Sequence, residues 1–573
     1  MTYFKKNTNL FHKTLFLACI SVLLIQCKSP SEKEKNTGLI AQKAMVVSAR
    51  EEASQIGSDI LKKGGNAFDA MVATQLALAV VYPVAGNIGG GGFMVYRTNE
   101  GKTGALDYRE KAPLASSKDM YLDEKGDMIK GKSTLGAMAV GVPGAIAGVF
   151  EVYDKFGSLP IAELIQPSID LARKGISVTK KQARSLNRAR EKFVLANNYK
   201  ILLDKEWKEG DLLQFEELAQ TLERIRDHGR DGFYKGETAK QMVDYVQELG
   251  GILSLKDLES YQAVWRKPVT FNYKNYTITS MTLPASGGIC LAQILKAIEP
   301  FDLSKIKHNS TEYIQLLTEA ERRSYADRAH YLGDLDFVEV PIDSLTNSDY
   351  INKRMRSFSW DKATKSSDIS HGKLRGYESD ETTHYSIVDP FGNAVSVTTT
   401  LNTGYGSKVF VKGGGFFLNN EMDDFSAKPG VPNVYGLLGS KANAIAPEKR
   451  MLSSMTPTIV EQNGKLKMVV GTPGGSTIIT SVLQNILNVF DYGMGMQESV
   501  NTARFHHQWL PDTVLMEPNG FDSITKENLK AKGYHITERN SLIIGRVDAI
   551  LVLPNGTLEG GADHRGDDTA VGF

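Results

Sequence analysis

The sequence predicts an α+β chain with helices layered over sheet, and three observations carry that expectation. At 573 residues it exceeds one ordinary core, so it holds two domains or one large layered domain. Apolar residues make up 41% of it, enough for a packed interior. Two β-branched and apolar arms, residues 381–389 and 394–402, flank a Pro390-Phe391-Gly392-Asn393 turn, whereas the pattern from Pro160 to about Ile298 is mainly helical. The net charge of +1, without a basic stripe or acidic tail, gives no pointer to nucleic acid. The 53 glycines are clustered, which predicts tight turns around a site.

The chain opens with Lys5, Lys6 and Lys13 around an apolar run, Thr14 to Ile25, that is short for a membrane span and reads as a secretory signal. Cys27 follows at once, ahead of the charged tether Lys28 to Lys35. This resembles a bacterial lipoprotein cleavage site, although Gln26 stands where a small residue is expected; an ordinary signal peptide cleaved nearby is the alternative. Either reading exports the protein to the bacterial periplasm or cell envelope, with Cys27 as a possible lipid anchor. Cys19 lies within the signal, so Cys290 is the one internal cysteine. The folded residues then have no intrachain disulfide, and Cys290 reads as a buried thiol.

Met45 to Ser48 reads as a strand, Glu51 to Lys63 as an amphipathic helix stopped by Gly64-Gly65, and Asn66 to Tyr82 as a helix buried on most sides. Gly89 to Gly92 lead into a strand, whereas a phosphate-binding loop leaves a strand to open a helix. Close backbone packing is the better reading. The next strand puts Arg109 among core residues, either as a structural ion pair with Asp107 or Glu110 or as a bidentate holder of a carboxylate. Trp265 to Met281 reads as strands and Thr311 to Leu332 as a long charge-rich helix. No chemistry-bearing motif is evident from Pro160 to Leu332. Asp361 to Glu381 is polar throughout and reads as a linker, of the kind that opens for cleavage or swings away.

Beyond the hairpin, Asn419-Asn420-Glu421-Met422-Asp423-Asp424 could be a solvated turn or a metal site by composition, but no histidine is spaced to complete a metal set. Pro429 to Ala446, with Tyr435, is long enough to be a lid. A strand at Lys467 to Val470 ends in Gly474-Gly475 and opens an apolar helix, Ile478 to Phe490. Bare N–H groups there suit an oxyanion; phosphate is the competing ligand, but a P-loop lysine is missing. His506 and His507 are adjacent and so point apart, which argues against a shared metal. No metal or other cofactor is expected.

Taken together, these segments resemble the γ-glutamyltransferases, also called γ-glutamyltranspeptidases, of the N-terminal-nucleophile hydrolase superfamily. The likeness rests on Leu106-Asp107-Tyr108-Arg109-Glu110, Thr382-Thr383-His384-Tyr385-Ser386, Thr400-Leu401-Asn402-Thr403 and Asn419 to Ser426. It continues through Pro432-Asn433-Val434-Tyr435-Gly436, Leu452-Ser453-Ser454-Met455, Pro473-Gly474-Gly475-Ser476 and Arg504 to Trp509. The ordered set spans about residue 40 to the C-terminus.

The resemblance implies a four-layer αββα sandwich assembled from two subunits of one self-cleaved precursor. Residues 1–27 then form the signal segment, and cleavage between Glu381 and Thr382 gives a large subunit, 28–381, and a small catalytic subunit, 382–573. It further implies Thr382 as nucleophile, Thr400 as its hydrogen-bond partner, and Gly474 and Gly475 N–H groups as oxyanion donors. Arg109, Ser453 and Ser454 are expected to hold a substrate α-carboxylate, Asn402, Glu421 and Asp424 its α-ammonium, and Tyr435 to sit on the lid. Glutathione and related γ-glutamyl donors are the expected substrates, with water, amino acids or dipeptides as acceptors. Glutaryl or cephalosporin acylases and poly-γ-glutamate transpeptidases are the alternatives on the same fold, and an exported binding lipoprotein without catalysis is the alternative of another class.

Overall fold

The computed structural model describes residues 37–370, 382–428, 431, 433–538 and 543–573. The signal, Cys27 and its tether, Glu381 with the rest of 371–381, and three residues of the expected lid lie outside them. Two seven-stranded antiparallel sheets face each other. The first runs, edge to edge, Thr569–Gly572, Met45–Ser48, Thr382–Val388, Ala394–Thr400, Gly91–Arg97, Thr103–Asp107 and Val264–Arg266. The second runs Ile40–Ala41, Leu558–Gly561, Asp548–Val552, Lys465–Gly471, Thr458–Gln462, Tyr276–Ser280 and Val269–Tyr273.

Strand periodicity sorts the side chains into layers. Met45, Val47, Phe93 and Val95 of the first sheet meet Ile459, Val469 and Ile550 of the second in the space between the sheets. Their sequence neighbours Val46, Met94 and Tyr96, with Tyr385, Ile387, Val395 and Val397, face an outer helical layer that includes Glu51–Lys62 and Ala67–Val81. On the other side, Val460, Met468, Val470, Ala549 and Leu551 pack against helices Gly287–Ile298, Thr311–Tyr331 and Ile478–Phe490. The result is the four-layer αββα sandwich. Ala67–Val81 is buried on every side and opens with a capping box in which Asn66 accepts from Asp69 N–H.

Thr311–Tyr331 is the expected charge-rich helix and is buried from Tyr313 to Arg328; Glu319 pairs with Arg323 at 2.6 Å, and Asp327 with Arg354 of the helix Ser348–Met355 at 3.0 Å. One expectation changes. The polar tract after Asp361 is fastened rather than free over its first part. Ser366 is buried, its N–H donates to Asp512 Oδ2 at 2.7 Å, and its carbonyl accepts from Trp509 Nε1 at 3.1 Å. The structure also adds a strand, Thr458–Gln462, beside the predicted one. Cys290 is a buried free thiol, pushed up to about 11 by burial. Among the described residues no helix is long and apolar enough to cross a membrane.

The inner face of the Thr382–Val388 strand is polar. His384 bonds Thr398 Oγ1 at 2.9 Å and Ser386 Oγ at 3.1 Å, and Ser386 Oγ donates across to the Asp548 carbonyl of the second sheet at 3.0 Å. The imidazole fits because the facing residue is Gly471, where a Cβ would stand 2.2 Å from His384 Cε1. Gly471→Ala should therefore force the sheets apart and cost about 1–3 kcal/mol, the range for overpacking a core. An unchanged urea midpoint would show that the ring is free to move aside.

Candidate active site

The hairpin register brings the site together. Thr382 and Thr400 are directly opposed across the Thr382–Val388 and Ala394–Thr400 pair, so both side chains leave the same face, toward the second sheet. Thr400 Oγ1 accepts from Asn402 N–H at 2.6 Å, which leaves its own proton to donate. Asn402 holds a left-handed backbone (φ 73°) as the chain turns away, and its Nδ2 donates to the Asn420 carbonyl at 2.9 Å. Both threonines and Asn402 line a cavity whose other walls include Arg109, Arg328, Glu421, Asp424, Tyr435, Ser453, Ser454 and Gly475.

Ten of the expected site residues therefore share one cavity. Gly474 is absent from its lining but lies one residue behind Gly475, and Glu381 lies outside the described residues. Gly474 and Gly475 have φ of 139° and 54°, backbone that favours glycine. They lead through a short 3-10 turn, Gly475–Thr477, into the apolar helix, and their N–H groups have no acceptor among the described residues. Tyr435 closes the cavity. Its hydroxyl donates to the Asn402 carbonyl, and its ring packs where a Cβ on Gly475 would stand, 2.5 Å away.

The opposite end of the cavity is a charge cluster. The Arg109 guanidinium pairs with Glu421 Oε1 and Asp424 Oδ2 and donates through Nε to the Met451 carbonyl at 3.4 Å. Neither of the partners expected from sequence proximity dominates: Glu110 is 3.6 Å away, and Asp107 is instead paired with Arg266 at 3.0 Å. Burial pushes Glu421 well above the usual carboxylate range, reinforced by the nearby Glu110 carboxyl, and burial raises Glu110 to about 8. Asp424 is raised by burial too, against the pull of Arg109. Two acceptors in the cavity wall, Asn402 Oδ1 and Glu421 Oε2, are buried without a partner among the described residues. Each can accept from a cationic N–H donor.

Beside this cluster are two hydroxyls with protons to give. Ser453 Oγ accepts from Met455 N–H at 3.1 Å, and Ser454 Oγ accepts from an Arg328 terminal nitrogen at 3.0 Å. Each can donate to an anion, as can the second hydrogen on each Arg109 terminal nitrogen. The cavity thus offers acceptors for a cation, donors for an anion, and a threonine beside bare N–H groups, the parts needed for acyl transfer to a zwitterionic substrate.

The sequence model of the gamma-glutamyltranspeptidase family matches residues 53–573. The chain belongs to that family. The glutathione hydrolase proenzyme of Escherichia coli (strain K12) is 47% identical to it over 539 residues, 93% of this chain and 92% of that protein. The crystal structure of Helicobacter pylori gamma-glutamyltranspeptidase is 41% identical, with a TM-score of 0.55 over 60% of this chain and 97% of that one. Cephalosporin acylase from Bacillus halodurans superposes with a TM-score of 0.82 over 96% of this chain and 99% of that one, and at 24% identity it shows the shared fold alone.

Within this γ-glutamyltranspeptidase cavity, Arg328 is the residue that sequence reading missed. It projects from the long Thr311–Tyr331 helix, is 3% exposed, and bonds Ser286 Oγ at 2.8 Å as well as Ser454. Alternating opposite charges between Glu319 and Arg328 were the available signal, since such a run can be buried as readily as solvated. His384, two residues along from Thr382, is buried and its pKa is lowered to about 3 by burial. Between about pH 6 and pH 4 the unfolded imidazole takes up a proton that the folded one refuses, so this group erodes stability as pH falls, by about 1.4 kcal/mol per pH unit. A His384→Asn variant should lose stability less steeply than wild type over that interval in urea titrations at stepped pH. Equal slopes would mean that His384 already takes up its proton in the folded state.

Proposed function

We propose that this protein is a self-processing γ-glutamyltransferase with glutathione hydrolase activity, and that Thr382 is the nucleophile of both its maturation and its turnover. The observation that carries the reading is the joint exposure, in one cavity, of the opposed Thr382–Thr400 pair and the unpartnered Asn402 Oδ1 and Glu421 Oε2. A γ-glutamyl group has its reacting carbonyl at one end and an α-ammonium and α-carboxylate at the other, which matches that division.

In maturation, Thr382 Oγ attacks the Glu381 carbonyl and displaces the Thr382 nitrogen. Water then hydrolyses the ester, giving a Glu381 carboxylate and a free Thr382 α-amine. Such an amine titrates at about 7.7–8.0, near working pH, and serves as the base that a threonine hydroxyl lacks. In turnover the amine takes the Thr382 hydroxyl proton as Oγ attacks the γ-carbonyl, while Thr400 donates a hydrogen bond to the nucleophile. Gly474 and Gly475 N–H groups stabilise the tetrahedral oxyanion. The amine returns the proton to the leaving nitrogen, cysteinylglycine in the case of glutathione, and the glutamyl ester on Thr382 passes to water, an amino acid or a dipeptide.

Asn402, Glu421 and Asp424 accept from the donor's α-ammonium. Arg109, Ser453 and Ser454 donate to its α-carboxylate, and Tyr435 keeps bulk water out. A glutaryl or cephalosporin side chain without the ammonium would leave Asn402 Oδ1 and Glu421 Oε2 unpaired, at about 1–3 kcal/mol for each such group, which favours γ-glutamyl donors over the acylase alternative. Export, with lipid attachment at Cys27, is part of the same proposal.

Purified wild-type protein should run as two fragments, the smaller beginning at Thr382 on N-terminal sequencing. Thr382→Ala should give one uncut chain with no release of p-nitroaniline from γ-glutamyl-p-nitroanilide. A full-length wild-type band with full activity would overturn the mechanism.

A further inference from the structure

The lid segment around Tyr435 is organised by one side chain. Asn433 Oδ1 accepts from the N–H groups of Tyr435 at 3.0 Å and Leu437 at 3.1 Å, closing an Asx turn, and the Asn433 carbonyl accepts from Gly436 N–H at 3.0 Å. The same amide uses its other end elsewhere. Asn433 Nδ2 donates to Asp424 Oδ1 at 3.0 Å, while Asp424 Oδ2 is taken by Arg109. Asp424 therefore has one oxygen tied to the floor of the cavity and the other to the lid. Its neighbour Asp423 tethers the lid a second time by accepting from Val434 N–H at 2.9 Å, and Ser133 Oγ holds the far Asp423 oxygen at 2.6 Å.

We propose that Asn433 is a positioning and specificity residue, which aims the Asp424 carboxylate at the donor's α-ammonium and couples that contact to the closed lid turn. This rests on the donor-binding reading above. Two features of the contact support it. Asp424 is half-buried beside Glu421 and Glu110, and the hydrogen bonds it accepts from Arg109 and Asn433 oppose the upward pull of burial on its carboxyl and so favour the anion that receives an ammonium. The link is also short-range and specific: the amide that bonds Asp424 is the one that sets the backbone of Tyr435, whose hydroxyl reaches the Asn402 carbonyl. An ammonium drawn to Asp424 and to Asn402 Oδ1 thus touches two residues that the lid also holds. Asn433 itself touches no reacting atom.

The effect should fall on recognition of the amine and not on chemistry. Inhibition by L-glutamate, which carries the ammonium, and by glutarate, which lacks it, separates the two. Asn433→Ala removes both the turn and the link; Asn433→Ser keeps a hydroxyl acceptor for the turn but cannot reach Asp424. Both variants should bind L-glutamate about 10- to 100-fold more weakly than wild type, the range a hydrogen bond to a charged group supplies. Their glutarate inhibition should be unchanged. With γ-glutamyl-p-nitroanilide, KM should rise while kcat stays within about twofold. Equal losses for glutamate and glutarate, or wild-type glutamate affinity in Asn433→Ser, would overturn the proposal. If wild type itself fails to prefer L-glutamate over glutarate, the donor-binding reading fails instead.

Discussion

The register between two neighbouring strands governs this structure. Thr382–Val388 and Ala394–Thr400 pair residue for residue over seven positions, from Thr382 opposite Thr400 to Val388 opposite Ala394. A slip of one residue would turn Thr382, His384 and Ser386 into the helical layer and carry Tyr385 and Ile387 between the sheets. Apolar residues on one face and hydroxyls with an imidazole on the other therefore hold Thr382 in place. The Asp389 turn reinforces the register: its carboxylate accepts from Asn393 N–H at 2.8 Å and from Ala67 N–H at 2.9 Å, fixing the hairpin to the start of the buried helix.

The second determinant is electrostatic. Arg109, Glu110, Glu421 and Asp424 lie together out of water, with three carboxyls around one guanidinium. Burying that many acids is unfavourable, and burial raises Glu110, Glu421 and Asp424, while Arg109 and Arg328 pull Asp424 the other way. Arg328 is the second cation of the cavity wall, so Arg109 and Arg328 stand there against Glu421 and Asp424.

Much of this was legible in the sequence. The hairpin arms, the strongly apolar Ala67–Val81 helix and the Gly474-Gly475 turn ahead of Ile478–Phe490 carry patterns that local chemistry dictates, whereas the αββα order was legible only through the family resemblance. The convergence of Thr382, Thr400, Asn402, Glu421 and Asp424 was legible through family likeness, not through spacing. What sequence alone could not give was pairing. Arg109 looked toward Asp107 and Glu110 because they adjoin it, whereas its main partners come from more than three hundred residues away. Arg328 was hidden for the same reason, on a helix whose charges resemble a wet surface but lie inside. The Asp361–Glu381 tract read as a linker from composition, which cannot show that Ser366 is grasped by Trp509 and Asp512.

Strand order also bears on what a break before Thr382 can do mechanically. In the first sheet, Met45–Ser48 lies between Thr569–Gly572 and Thr382–Val388, and Ala394–Thr400 lies against Gly91–Arg97; in the second, Ile40–Ala41 borders Leu558–Gly561, while Tyr276–Ser280 borders Thr458–Gln462. Segments from before and after residue 382 are interleaved like the fingers of two hands. Parting them would mean unzipping five strand-to-strand seams across two sheets. A nicked chain of this kind has no hinge along which to dissociate, so its halves should behave as a single cooperative body that unfolds together or not at all.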